Sequence, residues 1–138
     1  MKLIEGEAPM FSDLNVFKMA YAMATHAGTR QAVIAQNMAN ADTPGYRERD
    51  IAPFAETFAR ETAGTAMQAS RTSHLNGTAA SAASWAPFET NAAGDPNRNN
   101  VSIEEQMLKA VEVKRQHDRA LAIYKSSMNM LRVGLGRG

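Results

Sequence analysis

The sequence predicts a mainly α fold in which long N- and C-terminal helices pair antiparallel as a coiled-coil-like hairpin, with a poorly ordered central loop region between them. Three observations carry this. Apolar residues step by three and four from Leu14 to Met38 and again from Ile103 to Leu135. Thr43-Pro44-Gly45 stops the first run, and the turn-rich stretch from Asp95 to Asn100 precedes the second. Between them, residues 61–100 hold Met67, Leu75, Trp85 and Phe88 as their only large apolar side chains. So few groups do not offset backbone ordering at roughly 1 to 2 kcal/mol per residue, which predicts a mobile loop or an irregular insertion that orders on contact. The plan is residues 1–60 as helix, turn and short arm, 61–100 as flexible loop, and 101–138 as the returning helix, a single domain overall.

Residues 1–11 are mixed and uncapped and are expected to be poorly ordered, with Ser12 as the N-cap of the first helix. Leu14, Phe17, Tyr21, Ala24, Gly28, Gln31, Ala35 and Met38 form the row expected to pack on another helix. Val16, Ala20, Met23, Ala27 and Ile34 form a second row beside it. Two adjacent rows make a face wider than a two-stranded seam, which implies more than one neighbour. Ala20, Ala24, Ala27, Gly28 and Ala35 are small enough for backbones to approach closely. An ordinary small bundle is the plain alternative, but a bundle needs three or four helices and this chain offers two strong ones.

The helix is expected to end near Ala41 or Asp42, because the Pro44 ring disfavours the α conformation at Thr43 and removes a donor. Thr43-Pro44-Gly45-Tyr46 reads as a type II turn, with Pro44 fixing φ near −65° and Gly45 supplying the positive φ. Asn37 and Asn40 project from the last helical turn on neighbouring positions. Arg47-Glu48-Arg49-Asp50 alternates in sign and reads as a solvated or ion-paired segment. Ile51, Phe54 and Phe58 suggest a short helix or an arm folding back on the first helix.

At the far end, Ser102-Ile103-Glu104-Glu105 reads as a capping box, Ser102 accepting from the Glu105 amide and the Glu105 side chain reaching back. Ile103, Met107, Ala110, Lys114, His117, Leu121, Tyr124, Met128, Leu131 and Leu135 then repeat at heptad spacing. About 32 helical residues span roughly 48 Å, far longer than a compact core requires. Lys114 and His117 interrupt this row. His117 reads as a half-buried histidine bonded to a neighbour, and Glu105 and Lys109 stand in the favourable i, i+4 order.

Composition narrows the function. The chain has 138 residues, a formal net charge of +1 and no cysteine. The charge gives no reason to expect nucleic acid or anionic membrane as partner, and the missing thiols exclude disulfides and thiolate metal sites. Lys2, Glu5, Glu7 and Asp13 interrupt the N-terminal residues, so neither a cleaved signal nor a transmembrane span is expected there. No nucleophile elbow, phosphate-binding glycine loop or His-Glu-x-x-His helix is present, and no histidine stands at ligand spacing to another. No enzyme activity, cofactor, metal or small-molecule substrate is expected. The nine methionines read as adaptable packing groups at protein contacts.

The string Asn37, Met38, Ala39, Asn40, Thr43, Pro44, Gly45, Tyr46 resembles the N-terminal signature of the flagellar rod, hook and hook-filament junction proteins. Asn99, Asn100, Val101, Ile103, Glu104 and Met107 are similar to the start of that family's C-terminal helix, with Arg98 where a glycine is usual, which suggests a different turn but the same fold. Arg30-Gln31, the segment from Arg47 to Asp50, the chain length and the element Thr72-Ser73-His74-Leu75 look most like the proximal rod proteins of the bacterial flagellar basal body. His74 itself reads as an exposed loop histidine.

The resemblance implies a structural subunit that polymerises through its terminal helices into an axial drive shaft transmitting torque for motility. It implies a periplasmic rod location and export by the flagellar type III apparatus without a cleaved signal peptide. The implied partners are other rod subunits, basal-body ring and junction proteins, and copies of the chain itself. Asn37, Asn40, Thr43, Pro44, Gly45 and Tyr46 would fix the turn that meets adjacent subunits. Leu14, Phe17, Tyr21, Met38, Val101, Ile103, Glu104, Met107, Leu121, Tyr124, Met128 and Leu131 would carry the helical contacts. A sister rod subunit, or a helical-hairpin adaptor or chaperone holding one partner helix in its groove, is the alternative.

Overall fold

The structure is a computed structural model that describes residues 7–63 and 85–136, with side chains for 12–58 and 85–136. Its elements run α1 (Glu7–Ala39), β1 (Arg49–Asp50), α2 (Phe54–Ala63), β2 (Phe88–Glu89) and α3 (Ile103–Gly134). The protein is mainly helical, and the long terminal helices pack against each other as expected.

α1 starts at Glu7, five positions before Ser12. Pro9 stands in its first turn, where a missing amide has no intrahelical partner to lose, so the helix extends upstream of the expected cap. Its end at Ala39 is the stop that Pro44 imposes, after which residues 40–45 turn. α3 begins at Ile103 with Ser102 as N-cap, the Glu105 amide donating to Ser102 Oγ at 3.4 Å. The Glu105 carboxylate lies 3.5 Å from Lys109 Nζ, in the i, i+4 direction.

Two compact units are formed, residues 1–28 with 110–138 and residues 29–109. In the first, the Phe17 and Tyr124 rings lie 4.5 Å apart and Gln116 Nε2 lies 3.1 Å from His26 Nδ1. Advancing along α1 therefore means retreating along α3, an antiparallel pair. The buried residues there are Ala20, His26 and Ala27 against Val113, Ala120 and Ser127. The seam thus runs through the second, smaller row of α1. On α3 it runs one position earlier than Met107, Lys114, Leu121 and Met128, the heptad row expected to be inside. Small side chains let the two backbones close, and a wider residue at those positions would hold them apart. A Cβ added at Gly28 would meet nothing within 4 Å, so that glycine is not a close-approach point between α1 and α3.

In the second unit Val33, Ile34 and Ile51 are the buried aliphatic residues. β1 and β2 pair antiparallel, Arg49 opposite Glu89 and Asp50 opposite Phe88. α2 is held at its start by the Pro53 carbonyl, which accepts from the Glu56 and Thr57 amides. Residues 85–100 join the fold through β2 and two buried asparagines. Residues 64–84, with Met67 and the Thr72 to Leu75 element, lie outside the described residues.

A polar clasp behind an exposed turn

Asn37 is fully buried, and its amide makes every bond available to it. Nδ2 donates to the Arg49 carbonyl at 2.7 Å and to Gln106 Oε1 at 3.0 Å. Oδ1 accepts from the Arg49 amide at 3.1 Å and from the Tyr46 hydroxyl at 3.2 Å. The side chain therefore stands in for a neighbouring strand along β1 and ties β1 to α3. Asn40, three residues on, stays local: Nδ2 donates to the Gln36 carbonyl and Oδ1 accepts from Thr43 Oγ1.

The turn takes the expected form. Gly45 has φ 76°, and the Tyr46 amide donates to the Thr43 carbonyl at 3.2 Å. Its remaining polar groups are met from the segment before α3. The Gly45 amide donates to the Asn97 carbonyl at 3.0 Å. Asn99 Nδ2 lies 2.9, 2.8 and 2.8 Å from the carbonyls of Asn40, Ala41 and Thr43, adding a side-chain donor just past the helix end. The two family-like strings meet in one structure, with Thr43, Pro44 and Gly45 exposed on its outside.

Residues 47 to 50 alternate as a strand does, Arg47 and Arg49 outward, Glu48 and Asp50 inward. Asp50 takes a two-point grip from Arg30, at 3.0 and 3.2 Å. Glu48 is buried and binds through every polar atom it has. Its carboxylate accepts from Gln106 Nε2 at 2.7 Å, from Thr90 Oγ1 at 2.7 Å and from Lys109 Nζ. Its amide donates to Asn100 Oδ1, and its carbonyl accepts from the Thr90 amide at 2.9 Å. Burial pushes the Glu48 carboxyl up, but the hydrogen bonds from Lys109, Thr90 and Gln106 and the Lys109 charge outweigh it, so the group stays below its ordinary range. Burial pulls Lys109 down, and Glu48, with the charges of Asp50 and Glu105, holds it above its ordinary value.

The helical residues singled out by sequence divide into two sets. Phe17, Tyr124 and Leu131 are half-buried, as is Val101, whose amide donates to Asn99 Oδ1. Leu14, Tyr21, Met38, Ile103, Glu104, Met107, Leu121 and Met128 are exposed, Tyr21 at 67% and Met107 at 57%. Leu108, Val111, Met130 and Val133 join them on α3. Pairing thus buries one row of each helix and leaves a bulky apolar row beside it uncovered, well beyond scattered surface hydrophobes.

Sequence reasoning missed Glu48, Gln106 and Lys109 as the centre of the clasp and Asn99 as the cap of α1. Gln106 carried a signal: it stands seven positions before Val113, in heptad step with Ala120 and Ser127. Glu48 carried none, since its partners lie 42 to 61 positions away. Among the described residues no group of three or more His, Asp or Glu side chains is placed to hold a metal ion. No described helix is long and apolar enough to cross a membrane.

The family model described as "Flagella basal body rod protein" matches residues 24–47, the end of α1 and the turn. The chain is also similar to the flagellar basal body rod protein FlgB of Agrobacterium fabrum, 29% identical over 121 residues that cover 86% of this chain and 90% of that protein. Asn37, Asn40 and the turn at residues 43–46 fall within the stretch that carries the first likeness, while Glu48, Asn99, Asn100, Gln106 and Lys109 lie outside it; the second likeness extends over most of the chain.

Proposed function

We propose that the chain is a structural subunit of the proximal rod of the bacterial flagellar basal body. The observation that carries this is the pair of uncovered apolar rows, Leu14 and Tyr21 on α1 and Met107, Leu121 and Met128 on α3, in a chain whose relative is a rod protein. Helices that pair and still present bulky apolar rows are completed by neighbours. A heterologous contact that does not close into a ring propagates as a helical tube, which suits an axial shaft.

In this reading the subunit binds its own copies, other rod subunits and the ring and junction proteins of the basal body, and it carries torque toward the hook. The flagellar type III apparatus exports it, without a cleaved signal, to the periplasmic rod. The exposed Thr43-Pro44-Gly45 turn touches an adjacent subunit while the clasp holds its shape. The likeness to FlgB favours the proximal type over a sister rod subunit. No catalytic step is assigned to it.

The test is immunogold labelling of isolated basal bodies carrying an epitope-tagged copy. Label on the axial rod at its ring-proximal end supports the reading. Label absent from basal bodies, with normal swimming in cells lacking the gene, overturns it.

A further inference from the structure

We propose that Asn99 is a positioning residue that makes the outward turn, residues 43–46, and the start of α3 a single coupled element. The turn's own bonds are Tyr46 N to Thr43 O, Thr43 N to Asn40 O and Thr43 Oγ1 to Asn40 Oδ1. The Gly45 amide and the Ala41 carbonyl are met by Asn97 and Asn99, and the carbonyls of Asn40 and Thr43, each already accepting a backbone amide within the turn, take a second donor from Asn99. Asn99 is buried, so water does not replace its donors.

The same side chain faces the other way with its oxygen. Oδ1 accepts from the Val101 amide at 2.8 Å, two residues before α3 begins. Asn99 is itself fixed by a tight loop: its amide donates to Asn97 Oδ1 at 3.1 Å, and its carbonyl accepts from the Asp95 amide at 2.8 Å. Arg98 at φ 66° sets the direction of that loop. One planar amide thus joins the end of α1 to the approach of α3, nitrogen to one and oxygen to the other. Its two halves are separable. Asp in its place keeps an oxygen for Val101 and presents acceptors only to three carbonyls; Ala removes both sides.

The consequence for assembly rests on the rod reading, in which the turn meets a neighbouring subunit; the coupling does not. Amide exchange on the full chain therefore tests the coupling, and incorporation into basal bodies tests its use. In the wild type across a denaturant series, the Gly45 and Gln106 amides should open on one common isotherm, below that of Val113 and Ala120. Independent isotherms for Gly45 and Gln106 overturn the coupling without any variant. In N99A both amides should lose at least tenfold in protection, with Val113 and Ala120 changed less than twofold. N99D should lose protection at Gly45 while Val101 and Gln106 keep theirs. Uniform loss at all of these positions marks a merely structural residue and overturns the proposal, as does N99D with Gly45 still protected. N99D subunits whose turn has opened and which still assemble contradict the turn's role in the rod while leaving the coupling intact.

Discussion

The unit of residues 29–109 and the unit of residues 1–28 with 110–138 share the same two helices and bury different chemistry in them. One closes around Asn37, Glu48, Asn99, Asn100 and Gln106 beside the aliphatic Val33, Ile34 and Ile51; the other mainly around Ala20, Ala27, Val113 and Ala120, with His26 and Ser127. Alanines and a valine pack in several registers with little loss. A buried amide with all four bonds made does not, because any shift leaves donors and acceptors without partners. The polar unit therefore defines one geometry, and the apolar unit leaves bulky side chains outside its seam for others to cover.

The largest effect expected from breaking this contrast is at Glu48. Glu48→Ala strands Lys109, Gln106 and Thr90, and urea unfolding should show a loss of about 3 to 5 kcal/mol, the range for removing one partner of a buried ion pair. The double variant Glu48→Leu with Lys109→Met should lose less than Glu48→Ala alone; an equal or larger loss contradicts the account of the pair. Asn37→Ala should cost about 3 kcal/mol, and Asn40→Ala, at a half-buried site, no more than about 1 kcal/mol. Near-equal costs at the two asparagines would mean that burial does not distinguish them.

The ion pair also sets a pH window. Glu48 is lower in the folded chain than unfolded, so its contribution is present above the unfolded carboxyl value of about 4.3 and fades as pH falls through the folded value. Lys109 is raised, so its contribution is complete below the unfolded value of about 10.4 and fades as pH rises through the folded value. Urea midpoints followed across pH should fall at both ends in the wild type. Glu48→Gln should flatten the acid limb; an unchanged limb would assign that pH dependence to other groups.

How much of this was legible in the sequence follows the same division. The stop at Pro44, the positive φ at Gly45, the N-cap at Ser102 and the length of α3 all rest on neighbours within a few positions, and all were readable. The register of the seams was not. Heptad spacing fits two adjacent rows equally well, and bulk favoured Met107, Leu121 and Met128 over Gln106, Ala120 and Ser127. Bulk was misleading here because the row that closes two backbones is the small one. The clasp was least legible, since Asn37 and Gln106 lie 69 positions apart and nothing in either neighbourhood names the other. Arg98 falls between. Its φ of 66° lies in the left-handed region that a glycine favours, which nothing in its side chain announces.

A smaller effect is expected there. Arg98→Gly removes the left-handed penalty of a residue with a Cβ and should raise the urea midpoint by the equivalent of about 1 kcal/mol. A loss of stability would mean that the Arg98 side chain contributes more than its backbone costs.

The smallest change in stability, and the most direct test, belongs to the uncovered rows. Tyr21→Ser with Leu121→Ser should alter the unfolding free energy of the isolated chain by no more than about 1 kcal/mol, since each site is exposed and contributes within about 0.5 kcal/mol. The decisive measurement is the fraction of isolated basal bodies that carry a rod in cells whose only copy is this folded, expressed double variant. Rods missing from nearly all of them is the predicted result. Rods at wild-type frequency would contradict the claim that these rows are where neighbouring subunits dock.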